Sequence, residues 1–222
     1  MRYIVEWFSG RPTLGAGEGE HENDTVNPVD TPIGARVPIP HMALDSSPIA
    51  KKRHRLTPWD NREAGLVLIL RNYKESVVRH LQLAPDWSGS LDIQDKRAAE
   101  MLQNYWELVH TFDQWHENRY LIYYEDLVES PQISIKALMA FMNISVDDAQ
   151  LKDFFSKYSW HKQNSLSALV APSATRGESV TSHAKGLRKE QGHAWDEFMR
   201  QKDKELFDRY LKRYEEDIEQ IT

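Results

Sequence analysis

The segment from Leu66 to Leu81 constrains the fold of this chain more than any other segment. Its first five residues, Leu66 to Leu70, are all apolar, and such a run is typical of a strand buried in a parallel sheet. An Arg-Asn pair follows at residues 71 and 72, and the composition then becomes helical. The pattern predicts a strand, a turn and a helix.

The turn after this strand is a candidate anion site. Open α/β sheets bind ligands beyond the carboxyl ends of their strands, and a helix that begins there presents free backbone N–H groups and the positive end of its dipole. Arg71, Lys74 and Arg79 add three positive charges within nine residues. We interpret the turn as a phosphate or sulfate site. The alternative is that the arginine only caps the helix or forms a salt bridge.

Composition limits the classes of protein that the chain can represent. Its 222 residues fit one domain, or one domain with a long insertion. The net charge of −6 argues against general nucleic-acid binding. Because cysteine is absent, disulfide frameworks and thiolate metal sites are excluded. No apolar run is long enough to span a membrane and no signal-peptide pattern opens the chain, so we expect a cytoplasmic protein.

Apolar periodicity predicts the remaining helices and strands. Helices are predicted at Arg2–Phe8, at Gln94–Trp115, from Ser130-Pro131 onward, at Val146–Lys157 and at Trp195–Ile221. A second buried strand is predicted at Arg119–Tyr124, and Pro48–Leu56 is either a short strand or an extended segment. Residues 9–47 and 159–193 are predicted to be irregular loops. Strands separated by helices indicate an α/β protein with a parallel sheet.

Several segments match a known family in their residues and in their order. They are KKRHRL at 51–56, LILRNYKESVVRH at 68–80, RYLIYYEDLVESPQISIKALMAFMNI at 119–144 and SHAKGLRKEQGHAWDEFM at 182–199. Together they resemble the sulfotransferases that use 3′-phosphoadenosine 5′-phosphosulfate (PAPS). The resemblance implies a P-loop-like, three-layer α/β sandwich with a central parallel sheet, in a single domain over residues 1–222.

The resemblance places the catalytic pair in the segment 51–56. The family has a Lys-x-His at the end of a strand, in which the histidine is the base, and Lys52 and His54 match it. A hydroxyl acceptor must lose its proton as its oxygen attacks sulfur, and a histidine with a pKa of about 6.5 suits this role. A nearby cation stabilises charge on the transferring group. The alternative is a solvated basic patch.

The resemblance also implies residues that bind the nucleotide. Arg71 matches an arginine that binds the 3′-phosphate, and Tyr124 matches a tyrosine that contacts the adenine. Arg79 occupies a position where the family has a serine. Its guanidinium either replaces that serine as a bidentate donor or points away into a surface ion pair.

A glycine-containing loop is the second phosphate-binding segment that the resemblance implies. Lys185-Gly186 matches part of the family's Arg-Lys-Gly, with Ala184 in place of the arginine; the alternative is an ordinary basic turn. The acidic pair Glu125-Asp126 is interpreted as structural, because a carboxylate beside a dianionic donor would repel it. Trp195 and Phe207 match core positions.

One element of the family has no counterpart in the sequence. The first strand of the family ends in a Pro-x-Ser-Gly-type loop that binds the 5′-phosphosulfate, and the next helix commonly reads Trp-x-Arg-Tyr-x-x-Glu. The chain opens with Met-Arg-Tyr-Ile-Val-Glu at residues 1–6. We therefore expect a truncated N terminus, a missing first strand and weak activity. A misassigned start codon, a shortened chain and a natural loss of the loop are the three causes that stay open.

The leading hypothesis is a sulfotransferase that moves a sulfuryl group from PAPS to a hydroxyl or amine. It would release 3′-phosphoadenosine 5′-phosphate (PAP) and need no metal. A second hypothesis is a catalytically weakened or inactive nucleotide-binding remnant. A third, a P-loop kinase, would need a Gly-Lys-Ser/Thr loop, which the sequence lacks. Carbohydrate, small-alcohol and protein acceptors stay open, as does the oligomeric state.

Overall fold

The computed structural model describes residues 2–14, 49–51, 65–83, 89–115, 118–157 and 186–215. The strands are β1 (Thr13–Leu14), β2 (Ala50–Lys51), β3 (Leu66–Leu70) and β4 (Arg119–Tyr123). The helices are α1 (Arg2–Ser9), α2 (Tyr73–Leu83), α3 (Lys96–Gln114), α4 (Tyr124–Glu129), α5 (Pro131–Phe141), α6 (Asp148–Lys157), α7 (Lys189–Lys202) and α8 (Lys204–Tyr210). A short 3₁₀ helix spans Lys212–Tyr214.

The strands pair in parallel, as the apolar runs predict for β3 and β4. The irregular loop predicted for residues 9–47 is wrong at β1, where backbone pairing with β2 makes Thr13–Leu14 a strand. In the β3–β4 pair, Leu66 lies opposite Arg119 and Leu70 lies opposite Tyr123. In the β1–β2 pair, Thr13 lies opposite Ala50. The prediction of an α/β fold with a parallel sheet is confirmed, with two strands in each sheet among the described residues.

The chain divides into two compact units. The first comprises residues 1–58 and 127–177, and the second comprises residues 59–126 and 178–222. The single domain over residues 1–222 stays a prediction. Among the described residues, none of the helices combines the length and the apolar composition that a membrane span requires.

In the first unit, α1 is buried along residues 4–7, and the buried residues include the charged Glu6. Ile4, Val5 and Trp7 are buried, and the ring of Trp7 lies 5.8 Å from that of Phe154 in α6. The predicted helix at Arg2–Phe8 is therefore confirmed, with one more residue at its end.

In the second unit, α2, α3, α7 and α8 surround the β3–β4 pair with one apolar core. Its fully buried side chains include Leu70, Tyr73, Val78, Leu102, Val109, Trp195, Met199, Phe207 and Leu211. The indole nitrogen of Trp195 donates a hydrogen bond to the carbonyl oxygen of Leu91, at 3.1 Å. The core positions predicted for Trp195 and Phe207 are confirmed.

Local capping sets several helix boundaries within two residues of the prediction. The Asp95 carboxylate accepts from the backbone N–H of Arg97 at 2.9 Å, so α3 begins at Lys96 rather than at residue 94. The Asp147 carboxylate accepts from the N–H of Gln150 at 2.7 Å, so α6 begins at Asp148 rather than at residue 146.

The predicted single helix at Trp195–Ile221 is wrong. Helix α7 already begins at Lys189, inside the segment predicted to be irregular, and it ends at Lys202. Asp203 is extended, with φ −165° and ψ 110°, and its carboxylate caps α8 by accepting from the N–H of Leu206 at 3.1 Å. A short acidic side chain competes with helix continuation in this way.

Candidate functional site

Strands β3 and β4 bring two predicted site residues together. Because the strands are parallel and Leu70 faces Tyr123, the residues that follow them emerge at the same edge of the sheet. Arg71 follows β3 and Tyr124 follows β4. The guanidinium carbon of Arg71 lies 4.9 Å from the centroid of the Tyr124 ring, a distance at which a cation is attracted to an aromatic face.

The turn after β3 is fixed by side chains from two directions. The Asn72 side-chain oxygen accepts from the backbone N–H of Lys74 at 3.0 Å, which caps the start of α2. The backbone N–H of Asn72 donates to Glu125 Oε1 at 2.9 Å, and the hydroxyl of Tyr214 donates to Glu125 Oε2 at 3.0 Å. The two oxygens of Glu125 therefore join the turn at Asn72 to Tyr214. This contact agrees with the structural role predicted for the acidic pair.

Asp126, the second member of that pair, is bound by an arginine. Nη1 and Nη2 of Arg213 donate to its two oxygens at 3.1 and 2.7 Å, and the guanidinium of Arg213 lies 4.1 Å from the centroid of the Tyr123 ring. The hydrogen bonds that Arg213 donates to Asp126 raise the pKa of Arg213. This arginine therefore holds the end of β4 rather than a ligand.

Arg71 is held by a partner that the sequence analysis missed. Its Nε and Nη2 atoms both donate to Glu75 Oε2, at 3.2 and 2.7 Å. The side chains of Arg71 and Glu75 are 21 and 19% exposed, so solvent still reaches this pair. The hydroxyl of Tyr105 donates to the carbonyl oxygen of Arg71 at 2.6 Å. Arg71 and Glu75 are four residues apart, but Arg71 precedes α2, so the spacing rule for helix surfaces does not predict this pair.

Arg79 lies further along α2 and is partly buried. In the described part of the chain, no hydrogen bond or ion pair is formed by its guanidinium. The surface ion pair considered for Arg79 is thus not formed with a described residue.

The described part of the predicted glycine loop is firmly attached to the second unit. Gly186 has a φ of 98°, a left-handed conformation that glycine adopts without the strain other residues incur. The next residue, Leu187, is buried in the core. The N–H of Arg188 donates to Gln191 Oε1 at 3.0 Å, at the start of α7. Lys185 lies outside the described residues.

Lys74 does not belong to the anion site, which corrects its place among the three charges of the turn. Its side chain is fully buried, and Nζ lies 2.9 Å from Asp196 Oδ1 and donates to the carbonyl oxygen of Tyr214 at 2.7 Å. The hydroxyl of Tyr73 also donates to Asp196 Oδ1. A polar cluster inside the core therefore joins α2, α7 and the 3₁₀ turn.

Asp196 is a strongly perturbed acid in this cluster. Burial, together with the nearby Glu215 carboxylate, raises its pKa to about 8, while Arg200 acts in the opposite direction. Its second oxygen, Oδ2, is buried and has no hydrogen-bond partner among the described residues. A carboxylate oxygen in that position costs more than a protonated one, because a bare charge loses its hydration.

Neither the predicted catalytic pair nor a metal-binding group is found among the described residues. Lys52 and His54 lie outside the described residues. Within the described ranges, no group of three or more His, Asp or Glu side chains is arranged to hold a metal ion.

Comparison with protein families shows which class this arrangement belongs to. The model of the sulfotransferase domain matches residues 59–221, which contain β3, β4, Arg71, Tyr124 and the glycine loop. The chain therefore belongs to the sulfotransferase domain family, whose members transfer sulfuryl groups. The comparison with curated proteins found no match, and neither did the comparison with solved structures.

Proposed function

We propose that the chain is a PAPS-dependent sulfotransferase that moves the sulfuryl group to a hydroxyl or amine acceptor. The observation that carries the proposal is the position of Arg71 at the carboxyl edge of β3, beside the ring of Tyr124. A guanidinium binds a phosphomonoester in bidentate fashion. An aromatic ring at the same edge offers a surface for a purine.

The proposed nucleotide site uses the residues that the resemblance singles out. Arg71, at the end of β3, binds the 3′-phosphate, and Arg79 on α2, which has no ion-pair partner among the described residues, adds a second charge. Lys185 and Gly186 bind the same phosphate in this proposal. Tyr124 contacts the adenine. The 3′-phosphate of the donor is thus recognised by charge, and its adenine by stacking.

The proposed chemistry uses His54 and Lys52. An imidazole nitrogen of His54 takes the proton from the acceptor hydroxyl while the acceptor oxygen forms a bond to sulfur. The bond between sulfur and the bridging phosphate oxygen breaks, and PAP leaves with that electron pair. Lys52 stabilises the negative charge that develops on the transferring group. No step needs a metal ion.

Calorimetric titration with PAP tests the nucleotide site. We expect Arg71→Ala to weaken PAP binding by about tenfold or more, since a hydrogen-bonded charge is lost. Arg209→Ala is the matched control, because Arg209 pairs with Asp113 at 2.7 Å and is half exposed; its PAP affinity should equal that of the wild type. Wild-type protein that does not bind PAP would overturn the proposal.

A turnover assay distinguishes an active sulfotransferase from the non-catalytic, nucleotide-binding alternative. His54→Ala should abolish the release of PAP from PAPS in the presence of hydroxyl and amine acceptors, while its affinity for PAP stays unchanged. PAP binding by the wild type without any transfer to these acceptors would support the non-catalytic alternative.

A further inference from the structure

We propose that Glu75 is a positioning residue that orients Arg71 for the nucleotide phosphate and thereby sets the preference for a 3′-phosphorylated nucleotide. The inference rests on the proposed function, because it concerns how the same phosphate site is prepared.

The first observation is that Glu75 does not cap the start of α2. Asn72 and Glu75 have the spacing of a capping box, in which the third helical residue would accept from the N–H of the cap. In the structure that N–H is taken by Glu125 Oε1, at 2.9 Å. The Glu75 carboxylate is therefore free to bind Arg71 instead.

The second observation is the way in which Glu75 binds the guanidinium. One oxygen, Oε2, accepts from both Nε and Nη2 of Arg71. A guanidinium has five N–H donors, so both hydrogens on Nη1 and one on Nη2 are left for a ligand. No described residue accepts a hydrogen bond from Nη1 of Arg71. Those donors lie in the fork geometry that matches two phosphate oxygens.

The third observation is that the rest of Arg71 is also restrained. The Tyr105 hydroxyl holds its carbonyl oxygen, and the Tyr124 ring lies against its guanidinium. A long arginine side chain otherwise loses considerable rotamer freedom when it binds a ligand. Fixing it before the nucleotide arrives removes that cost, which is the general benefit of preorganisation.

The charge of Glu75 acts against its orienting effect. A carboxylate near the bound phosphate repels it, and this repulsion is weakened because both side chains are partly exposed to water. Orientation and repulsion can be separated by substitution. Glutamine keeps an oxygen that can accept from Arg71 and removes the charge, whereas alanine removes both.

The experiment is a calorimetric titration of the full chain with PAP and with 5′-AMP, which lacks the 3′-phosphate. We expect Glu75→Ala to weaken PAP binding by about tenfold and to leave AMP binding unchanged. Glu75→Gln should bind PAP at least as tightly as the wild type. Glu107→Ala is the matched control on an exposed helical face, where Glu107 accepts from Gln103 at 3.0 Å, and its affinity for both nucleotides should be that of the wild type.

A second readout reports the positioning without a nucleotide. The Nε–H proton of Arg71 should give a protected signal in a ¹H–¹⁵N spectrum of the wild type, which Glu75→Ala removes and Glu75→Gln retains. Equal losses for PAP and AMP would show a merely structural role and overturn the inference. Glu75→Ala that binds PAP as tightly as the wild type would overturn it too. A wild type that fails to bind PAP would overturn the proposed function, and this inference with it.

Discussion

At the residue scale, the buried cluster around Asp196 makes the stability of the folded protein depend on pH. The folded protein raises the pKa of Asp196 to about 8 from a reference value of 3.8. The Lys74 ammonium, 2.9 Å from Oδ1, favours the ionised carboxylate, but burial and Glu215 outweigh it. Between these two pKa values the folded state therefore holds a proton that the unfolded chain releases. The stability that this proton contributes is complete below pH 3.8 and is lost as the pH rises through 8.

We therefore predict that the free energy of unfolding of the wild type falls, relative to that of Asp196→Asn, as the pH rises from about 4 to about 8. The slope is at most ~1.4 kcal/mol per pH unit. Asparagine keeps the oxygen that accepts from Lys74 and cannot titrate, so it serves as the reference. Urea unfolding at several pH values measures the difference, and a difference that grows in favour of the wild type would contradict the assignment.

The same cluster marks a limit of reading residues from sequence. Lys74 stands between an asparagine cap and an acidic residue, and counting charge alone places it in the anion site. Its partner Asp196 comes from α7, and 123 residues separate that aspartate from the neighbouring Tyr73. Nothing local to Lys74 indicates that its charge is buried, because the burial depends on how distant helices pack.

At the scale of elements, the strands were easier to predict than the last helices. A run of five apolar residues has few interpretations, and β3 begins and ends where that run does. The C-terminal apolar pattern continues through Asp203 because α7 and α8 both pack on the same core. Periodicity alone does not detect a break between two helices that share a buried side.

Asp203, the extended residue between α7 and α8, should stabilise the folded protein by capping α8. Its carboxylate caps α8 at Leu206, so Asp203→Ala is expected to lower the free energy of unfolding by about 1 kcal/mol. Asp208→Ala, at an exposed position within α8, should change it by less than half of that amount. Thermal or urea unfolding of the two variants makes the comparison, and equal effects would mean that the cap contributes nothing.

At the scale of the whole molecule, the predicted site depends on the register of one strand pair. The sequence indicated Arg71 and Tyr124 separately, through segments that lie far apart in the chain. The parallel register of β3 and β4 places both at one edge, which agrees with the rule for ligand sites in open sheets. Glu75 was missed because a glutamate near a helix start is ordinarily attributed to the helix dipole or to a cap.

Nucleotide binding should stabilise the folded chain by mass action. At a PAP concentration 100 times its dissociation constant, the expected gain is about 2.7 kcal/mol, visible as a rise in Tm. At that same PAP concentration, Arg71→Ala should show a much smaller rise, while 5′-AMP should raise the Tm of the two proteins equally. A wild-type Tm that does not respond to PAP would count against the nucleotide site.

Tyr214 connects parts of the second unit that the chain presents far apart. Its carbonyl oxygen accepts a hydrogen bond from Lys74, and its hydroxyl donates one to Glu125. Glu125 also accepts a hydrogen bond from the backbone N–H of Asn72. The carbonyl contact uses the backbone of residue 214, whereas the hydroxyl contact needs the tyrosine side chain. Positions 125 and 214 are thus expected to coevolve: relatives without a tyrosine here should carry a compensating change at the acidic position, which a family alignment would reveal.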